Sequence, residues 1–174
     1  MLTLLMIVAG AKALLCFVTS FLTGNYSQID KLWSIVPAVY VWIVAFAGGK
    51  TPRQLLMGVL VTVWAARLTF NFWRKGGFPK TWRIWEGEED YRWAILRKNP
   101  GLSNPFVWQI FNFFFISVYQ SFLICSFTFP AVLSVDPNHE LNFVDFIAAG
   151  SMLSMILLET VADQQQWVFQ QKKR

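Results

Sequence analysis

The sequence predicts an all-α membrane protein that crosses the bilayer about five times. Of its 174 residues, 55% are hydrophobic and only 14% are charged, whereas soluble domains carry about 25% charged residues. The apolar residues form long runs, and a membrane-spanning helix needs about 20 of them in succession. These observations exclude an ordinary water-soluble domain and a disordered chain. We therefore expect a single membrane domain over residues 1–174.

Five hydrophobic stretches account for the predicted spans. They are Leu2 to Leu22, Leu32 to Ala47, Leu55 to Trp73, Phe106 to Leu133 and Phe143 to Phe169. The first four are followed by helix-breaking residues, which are Gly24, Gly48, Gly76 and Pro137. A cleavable signal peptide begins with positive charge, but residues 1–6 carry none. We therefore expect the first stretch to remain in the protein as a helix.

The connectors between these stretches are short, except for the one from Arg74 to Pro105. It interleaves Trp82, Trp85 and Trp93 with charged residues, a pattern typical of helices and loops that lie at the membrane surface. Most of the 15 Lys and Arg residues fall in this connector, in the first connector and at the C-terminus. The positive-inside rule places these regions in the cytosol or its equivalent. This placement explains the formal net charge of +5, and we expect no nucleic-acid partner.

Charged residues inside a span are costly and mark candidate functional sites. One helical face of the third span carries Trp64, Arg67, Asn71 and Arg74, and one face of the fifth carries Glu159, Asp163 and Gln166, with Gln164 beside it. Both spans run in the same direction in the predicted topology, so both faces lie near the cytosolic end at similar depth. We expect Arg67 or Arg74 to pair with Glu159 or Asp163. In the alternative interpretation, the carboxylates are solvated where the span leaves the membrane, and Arg67 extends along lipid towards water.

Several other chemistries lack the residues they need. The single histidine, His139, supplies neither a zinc or haem cluster nor a catalytic triad. The pair Gly76-Gly77 is not a dinucleotide-binding GxGxxG motif. The acidic run from Glu86 to Asp90 is expected to pair with Arg83 and Arg92 rather than to bind a metal. We therefore predict no metal site.

Four short segments follow one another in a specific order along nearly the whole chain. They are Asp30-Lys31-Leu32-Trp33-Ser34, Trp64-Ala65-Ala66-Arg67-Leu68, Glu89-Asp90-Tyr91-Arg92-Trp93 and Glu159-Thr160-Val161-Ala162-Asp163-Gln164-Gln165. Together they resemble a family of largely uncharacterised membrane proteins related to the steroid 5-alpha-reductases. The resemblance implies a helical membrane domain that holds NADPH in a cavity facing the cytosol. Hydride transfer from NADPH to the double bond of a lipid-soluble enone is the activity that it implies.

The same resemblance assigns roles to particular residues. It implies cofactor binding by Arg67, Tyr91, Arg92, Glu159, Asp163 and Gln164, and substrate contact by Trp64. Arginine forks suit phosphates, and carboxylates or amides suit ribose hydroxyls. The family favours the endoplasmic reticulum, with a mitochondrial or bacterial inner membrane as the alternatives.

The family pattern continues with two further spans and an Arg-His-Pro-Asn-Tyr-x-Gly-Glu-type segment, which has no counterpart in this sequence. Three explanations follow from this departure. The chain is a shortened reductase, or one half of a split enzyme completed by a second polypeptide. Alternatively, it is a non-catalytic structural subunit that binds membrane lipids or other membrane subunits through its Phe-rich fourth span. A transporter is disfavoured because the intramembrane charges cluster at one end.

Overall fold

The computed structural model describes residues 1–79, 83, 85–135 and 140–173, and it is helical in all its regular elements. The helices are α1 (Leu2–Thr23), α2 (Gln28–Trp33), α3 (Ile35–Ala47), α4 (Pro52–Arg74), α5 (Tyr91–Arg97), α6 (Pro105–Phe111), a π-helical segment (Asn112–Tyr119), α7 (Gln120–Leu133) and α8 (Phe143–Lys173). Among the residues discussed above, Trp82, Pro137 and His139 lie outside the described part of the chain.

Four of these elements are long and apolar enough to cross a membrane. They are α1, α4, α8 and the continuous helix Pro105–Leu133, which α6, the π-helical segment and α7 form together. These helices define an integral membrane protein of the polytopic helical type and confirm the predicted fold class. The second predicted span differs from the other four. Its 13-residue helix α3 is only about 20 Å long, short of the ~30 Å hydrocarbon core.

A proline accounts for the division of that second stretch into α2 and α3. Pro37 has no backbone N–H, so the carbonyl of Trp33 lacks the donor that a continuous helix would supply. The helix breaks at Ser34, the residue between α2 and α3. The Ser34 hydroxyl lies 2.8 Å from that of Thr69 on α4. The break thus leaves a polar side chain bonded to the neighbouring helix.

The π-helical segment in the fourth span was not predicted from the sequence. Its residues belong to an almost uninterrupted aromatic and aliphatic run, in which apolar periodicity cannot distinguish one helical pitch from another. Phe111, Phe115 and Tyr119 stack in a column along this region, with ring centroids 4.9 and 5.3 Å apart. Asn112 and Ser117 are fully buried in the bundle.

The core of the bundle lies between α1, α3 and the Pro105–Leu133 helix. It includes the buried side chains of Leu5, Cys16, Tyr40 and Ile124. The long helix α8 is different, because it packs mainly against α4 and buries only Ile156. Most of its surface is therefore available to lipid or to another protein element.

Hydrogen bonds show which ends of the helices share a side. The Asn25 side chain donates to the Gly87 carbonyl at 3.0 Å, and the Tyr26 amide donates to Glu89 at 2.9 Å. The first and third connectors therefore lie at the same end of the bundle, as predicted. Helices α4 and α8 run parallel, because Arg53 pairs with Asp145 near their N-termini and Arg74 bonds to Gln164 near their C-terminal ends. That this end faces the cytosol stays a prediction.

Candidate functional site

The depth of Arg67 follows from its position along α4. The helix begins after Thr51, whose side chain forms a capping box with Gln54. From Arg53 to Arg74 the helix rises about 31 Å, which matches the ~30 Å thickness of the hydrocarbon core. Arg67 lies about 10 Å from Arg74 on the same scale. With Arg53 and Arg74 at the two edges of the core, the backbone of Arg67 lies about one third of the core thickness from the Arg74 edge.

At this depth, Arg67 forms ion pairs with both carboxylates of α8. Its Nη1 donates to Asp163 Oδ2 at 2.5 Å, and its Nη2 donates to Glu159 Oε2 at 2.6 Å. The Arg67 side chain is 14% exposed, that of Asp163 25% and that of Glu159 50%. The predicted pairing is confirmed. Arg67 does not extend along lipid towards water, so the alternative interpretation is wrong for this residue.

Arg74 extends the contact towards the membrane surface. It donates to Asn71 Oδ1 at 2.9 Å, to Gln164 Oε1 at 2.7 Å and to the backbone carbonyl of Asp163 at 3.0 Å. Its Cζ also lies 5.2 Å from the ring centroid of Trp167. The two arginines and the two carboxylates have a formal charge of zero together, so the whole cluster is neutral at this depth.

A second set of polar side chains surrounds a cavity of about 320 Å³ on the neighbouring face of α4. The cavity is lined by Asp30, Trp33, Ser34, Leu68, Phe72, Asp90, Arg92 and Gln120. Trp93 Nε1 donates to Asp30 at 3.0 Å, and Arg92 Nη2 lies 4.0 Å from the same carboxylate. Arg92 also bonds to Asp90 at 2.8 Å, as expected from the sequence.

Burial and hydrogen bonding set the ionisation of the groups at this end. Burial raises the pKa of Asp30, although bonds from Trp93 and Ser27 and the charge of Arg92 oppose that rise. Burial would also raise the pKa of Asp90, but the side-chain and backbone bonds from Arg92 lower it overall. Burial lowers the pKa of Lys31 to about 8. Its ammonium donates to the Glu86 carbonyl at 2.8 Å.

The cavity and the ion-pair cluster share α4. Leu68 and Phe72 line the cavity, whereas Arg67, one residue before Leu68, pairs with α8. Trp64 is half-buried and lies one helical turn before Arg67 and Leu68. All four segments of the sequence pattern therefore contribute to one end of α4.

The structure does not bring every predicted residue into these clusters. Tyr91 is 72% exposed and lies outside the cavity lining as described. Conversely, sequence reasoning missed Gln120, which accepts a hydrogen bond from Trp33 Nε1 at 2.8 Å. The sequence did contain a signal for Gln120. It is a single amide in an apolar span, and such a polar side chain is costly there unless it is hydrogen-bonded.

These features define a class: a polytopic helical membrane protein in which two of the long apolar helices, α4 and α8, are joined by ion pairs. Within that class, the chain belongs to the DUF1295 family, described as proteins of unknown function, whose model matches residues 16–174. An uncharacterised protein of Schizosaccharomyces pombe is 34% identical over 151 residues, which cover 83% of this chain and 41% of that protein. The chain thus spans about two fifths of the length of this relative. No solved structure matches the chain.

Proposed function

We propose that the chain is a membrane-embedded, reductase-like domain that binds NADPH for reduction of an enone double bond in a lipid-soluble substrate. One observation carries the proposal: four segments distant in sequence converge on one end of α4. Asp30 is bonded to Trp93, Leu68 lines the cavity with Asp30 and Arg92, and Arg67 is bonded to Glu159 and Asp163. Convergence of this kind is expected when the segments serve one site.

The donor set fits a dinucleotide in its polar parts. Arg92 lines the cavity with a side chain that is 58% exposed, and a planar guanidinium suits phosphates. Glu159, Asp163 and Gln164 offer oxygens and an amide for ribose hydroxyls. Arg67 is engaged by two carboxylates, so its role in this proposal is to hold them in position. NADPH supplies a hydride when it is bound.

Binding is tested by titrating the purified chain in lipid nanodiscs with NADPH and following quenching of tryptophan emission. We expect saturable quenching by one equivalent of NADPH. Asp163→Asn should weaken the binding at least tenfold, because a hydrogen bond to a charged group contributes ~1.5–3 kcal/mol. The matched control is Asp145→Asn, which removes the carboxylate paired with Arg53 at the other end of the same two helices. Absence of saturable binding by the folded chain, or equal weakening by both variants, contradicts the proposal.

A second candidate function is that of a structural subunit. The observation favouring it is the half-exposed carboxylate of Glu159 on a helix that buries only Ile156. A charged group facing lipid is costly, and a helix from another subunit that carries a polar partner would remove this cost. Native mass spectrometry after mild extraction from the source membrane distinguishes the candidates. A stable larger assembly without NADPH binding supports the subunit, and a cofactor-bound chain supports the reductase. We propose the endoplasmic reticulum as its membrane in either case.

A further inference from the structure

Gln120 is a half-buried amide in the middle of an apolar helix. It lies near the centre of the 29-residue helix Pro105–Leu133, where a polar side chain is costly unless it is hydrogen-bonded. It also lines the cavity of about 320 Å³ that contains Asp30 and Arg92. An amide in this position needs a partner for its oxygen and for its nitrogen.

Trp33 satisfies the oxygen of this amide and thereby fixes its orientation. The indole Nε1 of Trp33 donates to Gln120 Oε1 at 2.8 Å. Because an indole N–H is only a donor, this bond distinguishes the amide oxygen from the amide nitrogen. Nε2 is therefore the atom that Trp33 leaves unbonded. Among the residues that the structure describes, Gln120 Nε2 has no hydrogen-bond acceptor.

The charged side chains of the cavity do not supply this acceptor. Asp90 is bonded to Arg92 at 2.8 Å, and Asp30 accepts a hydrogen bond from Trp93 at 3.0 Å. These contacts join the charged side chains to one another and to α5. The amide N–H of Gln120 thus remains available to a molecule in the cavity.

The surroundings of this donor select the chemistry of that molecule. Leu68 and Phe72 line the same cavity, and a charged group at the depth of Gln120 is costly. The partner is therefore a neutral acceptor. A carbonyl oxygen fits best, because it accepts hydrogen bonds and carries no proton that would be left unbonded. The volume lies at the lower end of the range for small-molecule sites, which suits a molecule of about two fused rings.

We propose that Gln120 Nε2 donates a hydrogen bond to the carbonyl oxygen of a lipid-soluble ketone in this cavity. Trp33 is the positioning residue that holds the amide in the required orientation. The inference rests on the proposed function for the identity of the ketone, which is the enone substrate. Negative charge develops on the enone oxygen during its reduction, and an N–H donor at that oxygen is stabilising.

The test uses a two-ring α,β-unsaturated ketone labelled with ¹³C at its carbonyl, added to the chain in lipid nanodiscs with NADPH and without it. We expect saturable binding by one equivalent and a downfield shift of the bound carbonyl resonance, which reports a hydrogen bond. The ketone should bind at least fivefold more tightly than the two-ring hydrocarbon that lacks the oxygen, because the hydrocarbon leaves the Gln120 donor unpaired.

Three variants separate the roles of the two side chains. Gln120→Met keeps an uncharged side chain of similar length but removes the donor, so it should abolish the shift and the preference for the ketone. The matched control is Gln170→Met, which makes the same change at an exposed position of α8 and should alter neither. Trp33→Phe keeps a ring but removes the N–H that orients the amide, so the shift should become smaller while the ketone still binds.

Several outcomes overturn the proposal. Equal affinity of the unmodified chain for ketone and hydrocarbon does so without any variant, as does the absence of saturable ketone binding under either condition. A shift that persists in Gln120→Met also overturns it, and an unchanged shift in Trp33→Phe overturns the role of Trp33. NADPH binding is measured separately in the same samples by quenching of tryptophan emission. Its absence contradicts the proposed reductase function, whereas a ketone bond that Gln120→Met removes still assigns Gln120 to a ketone site.

Discussion

Replacement of Arg67 by Gln tests whether the intramembrane cluster behaves as one unit. The change removes the donor to two carboxylates at once, those of Asp163 at 2.5 Å and Glu159 at 2.6 Å. Removal of one partner of a buried ion pair costs about 3–5 kcal/mol, because the remaining charge is left without compensation. We expect a loss of stability in this range for Arg67→Gln.

The two carboxylates should not contribute equally. Asp163 is 25% exposed, so Asp163→Asn should cost ~1.5–3 kcal/mol, the range for hydrogen bonds to charged groups. Glu159 is 50% exposed, and its neutral replacement also removes the cost of a carboxylate that faces lipid. Glu159→Gln should therefore have the smaller effect. Arg67→Gln should therefore be the least stable of the three variants, Asp163→Asn should be intermediate, and Glu159→Gln should be the most stable.

The assay is reversible unfolding of each variant by SDS in mixed micelles, followed by tryptophan emission. In the double-mutant cycle, Arg67→Gln and Asp163→Asn should be coupled by about 2 kcal/mol, since each removes the same bond. The control cycle combines Arg67→Gln with Asp145→Asn, whose carboxylate pairs with Arg53 about 21 Å away along α4. That pair should be additive within ~0.5 kcal/mol. Additive effects at Arg67 and Asp163 would refute the reasoning.

Two further predictions concern the polar end of the bundle. Lys31, labelled by reductive ¹³C-methylation, should titrate near pH 8 by NMR, and Lys31→Arg should remove that signal. Because the folded-state pKa lies below the ordinary value, the unfolded chain binds more protons between about pH 8 and 10.5, and stability should rise with pH across this window. Gly87→Ala should destabilise the chain by ~1–3 kcal/mol, since the residue has a φ of 131° and an added Cβ would lie 2.7 Å from the Gly77 carbonyl oxygen. The control is Gly10→Ala on α1, where an added Cβ meets nothing within 4 Å; an equal loss of thermal stability in both variants would contradict the prediction.

The four long helices could be predicted because hydrophobic length determines them, and the parallel directions of α4 and α8 followed from their places as the third and fifth stretches. The pairing of Arg67 with α8 could also be predicted, since parallel spans bring residues of equal depth together. The break at Ser34 could also have been predicted, because Pro37 follows three residues later. It was missed because the stretch reads as continuously apolar.

Other features depend on tertiary contacts that no local pattern reports. The cavity around Asp30 requires α2, α4, α5 and α7 to meet, and its Gln120 is an isolated amide in the sequence. The π-helical segment lies in a run of nearly continuous apolar residues, whose spacing is compatible with an α-helix and with a π-helix alike. The exposure of Tyr91 depends on how α5 docks, which the motif around it does not determine.

The cluster also explains how α8, which packs mainly against α4, can have a fixed register. In lipid there is no hydrophobic driving force between apolar helices, so apolar side chains alone discriminate weakly between registers. The bonded pairs along α4 and α8 join Arg53 to Asp145 and Arg67 to Glu159 at the same sequence separation of 92, with Arg74 to Gln164 at 90. A shift of α8 by one turn would break the Arg53–Asp145 pair and the Arg74–Gln164 bond, and it would leave Arg67 with one carboxylate in place of two. The ion pairs therefore fix the position of α8, and through it the carboxylates of the proposed site, at a depth where a displaced charge is most costly.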